Sequence, residues 1–95
     1  MQQHFIYFLY SKSIDRFYIG ETSNLKNRLI LHQKQHYKGS FTKSAKDWEI
    51  VFSKKCDSKQ DALFLEKFIK RMKSKKFILK VIKNPEILDD ILNNK

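Results

Sequence analysis

Five side chains in this sequence are of types that do chemistry, and each has mainly apolar neighbours: Tyr7, Tyr18, Arg28, His32 and Glu66. Arg28 and His32 stand at i,i+4 in a segment that reads as a helix. Going round that helix at roughly 100° per residue, Leu31, Arg28, His32, Leu25 and Leu29 share one arc, whereas Lys26, Gln33 and Lys34 lie off it. A guanidinium on an apolar side requires a partner, because burying it unpaired is prohibitively costly. Its planar fork of donors suits phosphate or carboxylate. An anion bound between helix and sheet would meet the requirement. So would a structural carboxylate on Arg28, with His32 as a hydrogen-bonded core or rim histidine.

Tyr7 and Tyr18 each place a phenol inside a run of Phe, Ile and Leu, and their hydroxyls need partners where the rings are buried. Tyrosine is also an ordinary strand residue, with the ring packed and the oxygen reaching the sheet edge. Glu66 lies at the margin of an apolar helix face made by Leu65, Phe68, Ile69 and Met72. An i,i+4 pair with Lys70 would account for it, worth only ~0.2–0.5 kcal/mol.

The elements that would position these groups are readable in turn. Phe5 to Tyr10 is a run of β-formers that is apolar on both alternating faces, which predicts a central strand covered on each side. Ser11 to Arg16 reads as a turn and Phe17 to Gly20 as an antiparallel partner strand. Glu21 to Asn24 offers N-caps for a helix from about Leu25 to about Gln35. Tyr37 to Asp47 is a basic loop, and Trp48 to Phe52 reads as a third strand. Ser58 with Asp61 resembles a capping box opening a helix through about Met72. Phe77 to Ile82 is a third helical piece that must stop near Asn84-Pro85. Ile87, Leu88, Ile91 and Leu92 then recur at helical spacing in Glu86 to Asn93. The expected fold is α/β of the α+β kind: a small three-stranded antiparallel sheet flanked by helices, in the order β-β-α-β-α-α plus a short C-terminal helix. Residues 1–83 form the domain, and 84–95 an amphipathic tail packed on it or extending it.

Ninety-five residues with 41% hydrophobic content allow one compact domain. Twenty Lys and Arg against ten Asp and Glu give a formal charge of +10. Glu86, Asp89 and Asp90 against Lys95 leave the tail at −2, so the body carries +12 of that total. Such a body attracts a polyanion, and nucleic acid is the leading partner class. Cys56 stands alone, which excludes an internal disulfide and fits a reducing, cytoplasmic setting. The apolar Met1 to Tyr10 stretch has no charged region before it, no small-residue cleavage site and no spanning length, so neither secretion nor a membrane anchor is indicated.

The order and spacing of these residues resemble the GIY-YIG nuclease superfamily over about Phe5 to Ile82. Phe5-Ile6-Tyr7 stands where the first motif belongs, with Phe5 in place of its glycine, a replacement common in small stand-alone members. Tyr18-Ile19-Gly20 matches the second motif literally. Asn24-Leu25-Lys26-Asn27-Arg28-Leu29 followed by His32 is similar to the family's arginine helix. Trp48-Glu49-Ile50-Val51 resembles its third strand, and Ala62-Leu63-Phe64-Leu65-Glu66 the segment with its metal-binding glutamate.

That resemblance implies an endonuclease hydrolysing phosphodiester bonds in DNA, although RNA would satisfy the same electrostatics. Glu66 would hold one Mg²⁺, or another divalent cation such as Mn²⁺. Arg28 would fork onto phosphate oxygens, Tyr7 would act as the base with His32 as relay, and Tyr18 would orient the water or phosphate. Nucleic-acid contacts fall to Gly20, Lys26, Lys34, His36, Lys38 and Lys43. No dedicated targeting segment accompanies these elements, which points to structure-dependent or weakly sequence-specific cutting. A basic binding module that kept the fold without turnover is the alternative. A subunit docked through the C-terminal helix to a protein partner is a third reading.

Overall fold

A computed structural model describes residues 3–33 and 45–95. The chain runs β1 (His4–Ser11), β2 (Arg16–Thr22), α1 (Leu25–Gln33), β3 (Glu49–Cys56), α2 (Lys59–Met72), α3 (Lys75–Lys83) and α4 (Glu86–Asn93). The three strands form one antiparallel sheet in the order β2-β1-β3, so the fold is α+β, as expected.

β1 is central because both of its faces are apolar. Ile6 and Phe8 enter a cluster with Ile19, Leu65, Ile69, Val81 and Leu88, which α2, α3 and α4 supply from one side of the sheet. Tyr7 and Leu9 enter a second cluster on the other side with Ala45 and Trp48, against which Leu25 and Leu29 of α1 pack. All four of these β1 side chains are buried.

The β1–β2 pairing closes at Ser11 opposite Arg16, so the turn is Lys12 to Asp15. Asp15 has φ 51°, a left-handed conformation that aspartate tolerates better than most residues. Its carboxylate accepts from the Tyr10 hydroxyl at 2.5 Å and pairs with Lys75 Nζ at 2.6 Å, which ties the hairpin tip to the start of α3. A second carboxylate fixes the other side of the hairpin. Asp47 accepts from Ser11 Oγ at 2.5 Å and from the Ser13 amide and hydroxyl, each at 2.9 Å. The Ser11 hydroxyl first and the Ser13 amide next hold the Asp47 pKa down at about 2. The segment entering β3 is thereby anchored to the turn.

β3 extends past the predicted Phe52 to Cys56, and it contains a bulge. Phe8 pairs with Phe52 but Leu9 pairs with Ile50, leaving Val51 as the additional residue. Without the bulge, Ile50 and Phe52 would share a face, since residues two apart in a regular strand point the same way. With it, Phe52 joins the Ile6/Phe8 cluster and Ile50 the Tyr7/Leu9 cluster.

Helix ends follow local rules. Asn24 Oδ1 accepts from the Asn27 amide at 3.1 Å at the start of α1, and Ser58 Oγ does the same for the Asp61 amide at 3.1 Å. Ser74 Oγ accepts from the Phe77 amide at 3.1 Å, so α3 begins at Lys75, two residues before the apolar face that marks it in the sequence. α2 stops at Lys73, which adopts φ 48° and returns its amide to the Lys70 carbonyl. Among the described residues no helix is long and apolar enough to cross a membrane.

α4 is part of this packing, since Leu88 is fully buried in the core beside α2 and α3. Leu88→Ala should therefore lower the unfolding free energy by about 2–5 kcal/mol, read from the urea midpoint at unchanged m-value.

Candidate active site

The site grows from the pairing of β1 with β2. Tyr7 lies opposite Gly20 and Leu9 opposite Tyr18, so both phenols project from the same sheet face, with ring centroids 6.3 Å apart. Gly20 is needed for this. A Cβ built there would stand 2.5 Å from the Tyr7 hydroxyl oxygen and 2.6 Å from its Cζ. The glycine of the Tyr18-Ile19-Gly20 segment thus makes room for the Tyr7 ring, which covers it and is itself buried.

α1 crosses this same face through Leu25 and Leu29. Arg28, between them, is half-buried, and its charge acts on both phenols. Lys26 is exposed on α1. The backbone of His32 lies in the last turn of α1, while its side chain is outside the described structure. Lys34, His36, Lys38 and Lys43 lie outside the described residues.

Glu66 comes from α2, on the opposite side of the sheet. Its side chain is 18% exposed and accepts from Lys70 Nζ at 2.8 Å, the i,i+4 pair anticipated from spacing. The Lys70 ammonium also stands 5.3 Å from the centre of the Tyr18 ring. β2 is an edge strand, so these α2 side chains meet Tyr18 by passing its outer edge. Tyr7, Tyr18, Arg28 and Glu66 are thus brought together at one border of the sheet, with Lys70 added to them. Spacing alone pairs Lys70 with Glu66. Its approach to Tyr18 depends on how α2 lies against β2.

Both phenols are held protonated. Burial is the main cause for Tyr7, reinforced by Tyr18, opposed by Arg28 and reinforced again by the Glu66 and Glu21 carboxylates, and its pKa lies far above the ordinary value. Burial also raises Tyr18, with Glu66 adding to the effect and Arg28 opposing it. Glu21 reaches this environment from β2, where it meets His4 Nδ1 at 3.2 Å. A half-buried cation facing two neutral phenols, with a carboxylate opposite, is an arrangement that can grip an anion and hydrogen-bond its surroundings.

The family model of the GIY-YIG catalytic domain matches residues 3–78, and the chain belongs to that family, within the GIY-YIG nuclease superfamily. The resemblance carried by Tyr18-Ile19-Gly20 and its companion segments is borne out. The chain is also similar to a UPF0213 protein of Limosilactobacillus reuteri (strain DSM 20016), at 34% identity over 82 residues covering 82% of this chain and 84% of that relative. No solved structure matches it.

The raised phenols have a consequence for stability. Groups whose folded pKa exceeds the unfolded one stabilise the fold fully below the unfolded value, about 10 for tyrosine, and that contribution is lost as pH rises beyond it. Absorbance at the tyrosinate band should therefore stay low for Tyr7 and Tyr18 past pH ~10, then rise together with loss of the folded circular dichroism signal. Their ionisation in the intact fold near the ordinary value would contradict the burial described here.

Proposed function

We propose that this protein is a divalent-metal-dependent endonuclease that hydrolyses phosphodiester bonds in DNA. The observation that supports this reading is the meeting of Arg28, Tyr7, Tyr18 and Glu66 at one sheet border in a member of a nuclease family.

Glu66 is the residue that would hold the cation. Its carboxylate offers hard oxygen donors, and a cationic group, the Lys70 ammonium, already sits on it at 2.8 Å. Among the described residues no three His, Cys, Asp or Glu side chains cluster. A cation at Glu66 would keep most of its shell as water, which suits Mg²⁺ or Mn²⁺ better than zinc. Bound there, it supplies Lewis-acid neutralisation of charge gathering on the phosphate and the leaving oxygen.

The chain's own groups do the rest. Arg28 forks onto the non-bridging phosphate oxygens, a contact for which its fixed planar donors are better built than lysine's. Tyr7, neutral through burial, takes a proton from the attacking water only as it hands its own onward, and His32 at i,i+4 from Arg28 is the relay. Tyr18 orients the water or the phosphate beside it. The amides following Gly20, at the start of α1, add anion-binding character.

The deciding experiment is cleavage of a labelled panel of DNA structures with Mg²⁺ and with chelator. Glu66→Gln should lower turnover at least about 100-fold and Arg28→Lys at least about 10-fold, both with wild-type circular dichroism. Full turnover by Glu66→Gln would remove the metal role, and full turnover by Arg28→Lys would remove the forked contact. Salt-sensitive binding without any Mg²⁺-dependent product from the wild type would mark a binding module instead.

Lys70 gives a second test. As a counter-ion on Glu66, it competes with a metal for the same carboxylate. Lys70→Met should tighten Mn²⁺ binding, measured by calorimetry or electron paramagnetic resonance, by roughly two- to five-fold, the scale of a partly exposed ion pair. Weaker binding by that variant would show that the two cations do not compete.

A further inference from the structure

A groove of about 600 Å³ runs along the outer edge of β2, between that strand and the junction of α2 with α3. It is within the ~300–1,000 Å³ of ordinary ligand clefts. It begins where the candidate site ends, since Tyr18 and Lys70 line both. Beyond them its walls carry Arg16, Lys73 and Lys75, and its floor includes Phe17 and Ile78.

Two of those cations are already engaged: Lys70 with Glu66 and Lys75 with Asp15. Arg16 and Lys73 are exposed, and among the described residues neither has an acidic partner within salt-bridge reach. The left-handed turn at Lys73 holds that residue at the end of α2, against the groove. β2 adds the unpaired backbone groups of an edge strand along the groove's length.

We infer that this groove receives a single-stranded nucleic-acid segment leading from the Glu66 site, so that the substrate is a nucleic acid with an unpaired part. The inference rests on the nuclease reading for its reacting end. Unpaired strands are bound by cations that track the phosphates together with aromatic and apolar surface that takes the bases. Arg16 and Lys73 provide the first, and Phe17 with the edge of Tyr18 the second. A duplex presents phosphates on a convex surface with its bases turned inward. It would touch the rim cations but leave the apolar floor unused.

Binding in chelator tests this separately from cleavage. Fluorescence anisotropy would compare a labelled single-stranded oligonucleotide with a blunt duplex of equal length, using wild type and the double variant Arg16→Gln/Lys73→Asn. Asparagine preserves the left-handed turn at 73. A control variant, Lys59→Gln/Lys83→Gln, removes the same charge from exposed positions elsewhere.

The groove variant should weaken single-strand binding at least about 10-fold and lower the slope of log K against log[salt] by roughly 1.4, about 0.7 per phosphate contact. Duplex binding should fall no more than in the control. Single-strand affinity equal to that of the control variant would overturn the inference, and so would equal losses for single strand and duplex. Either result would leave the Glu66 assignment standing, just as failure of Glu66→Gln to lose cleavage would leave this binding result intact.

Discussion

Burial of β1 on both faces is the constraint from which the rest of the molecule follows. A strand carrying Ile6 and Phe8 on one side and Tyr7 and Leu9 on the other is stable only between two layers. In a chain this short, α2, α3 and α4 make one layer, while α1 with Ala45 and Trp48 makes the other. The requirement places α1 and its arginine over the tyrosines. It also sends α2 to the opposite side, so that Glu66 can reach the tyrosines only around the free edge of β2.

This arrangement separates the charges of the site by origin. Arg28 comes from the layer above the sheet, and Glu66 with Lys70 from the layer below, with two uncharged phenols between them. Burial keeps those phenols neutral, and the charges that act on both are the Arg28 guanidinium and the Glu66 carboxylate, with Glu21 adding to the effect on Tyr7. The Glu66–Lys70 pair is partly solvated and contributes little to stability. Its importance lies in placing a carboxylate and its counter-ion together at a border open to solvent.

Much of the fold was legible because its signals are local. The uninterrupted apolar run of β1, the Ser58 cap of α2 and the Asn84-Pro85 stop after α3 each depend on a few adjacent residues. Ser74 obeys the same capping rule as Ser58, but Lys75 and Lys76 stand between it and the apolar face, which hides the true start of α3. The bulge at Val51 leaves no local mark, since it arises from how β3 must meet two different clusters. In the site, Tyr7, Tyr18, Arg28 and Glu66 were recognisable by type and order. The approach of Lys70 to Tyr18, and the groove beyond it, were not, because both depend on the placement of α2 and α3 against a strand edge. Most of the basic loop, with Lys38 and Lys43, falls outside the described residues.

The bulge also bears on how this sheet tolerates change in length. Val51 is 39% exposed and takes part in no described polar contact, so side-chain truncation there removes little. Deleting the residue would set Ile50 directly before Phe52 in a regular ladder, each still opposite its present partner, Leu9 or Phe8. Position 51 is thus slack in the strand: β3 can lose the residue as well as its side chain and stay in phase with both halves of the core.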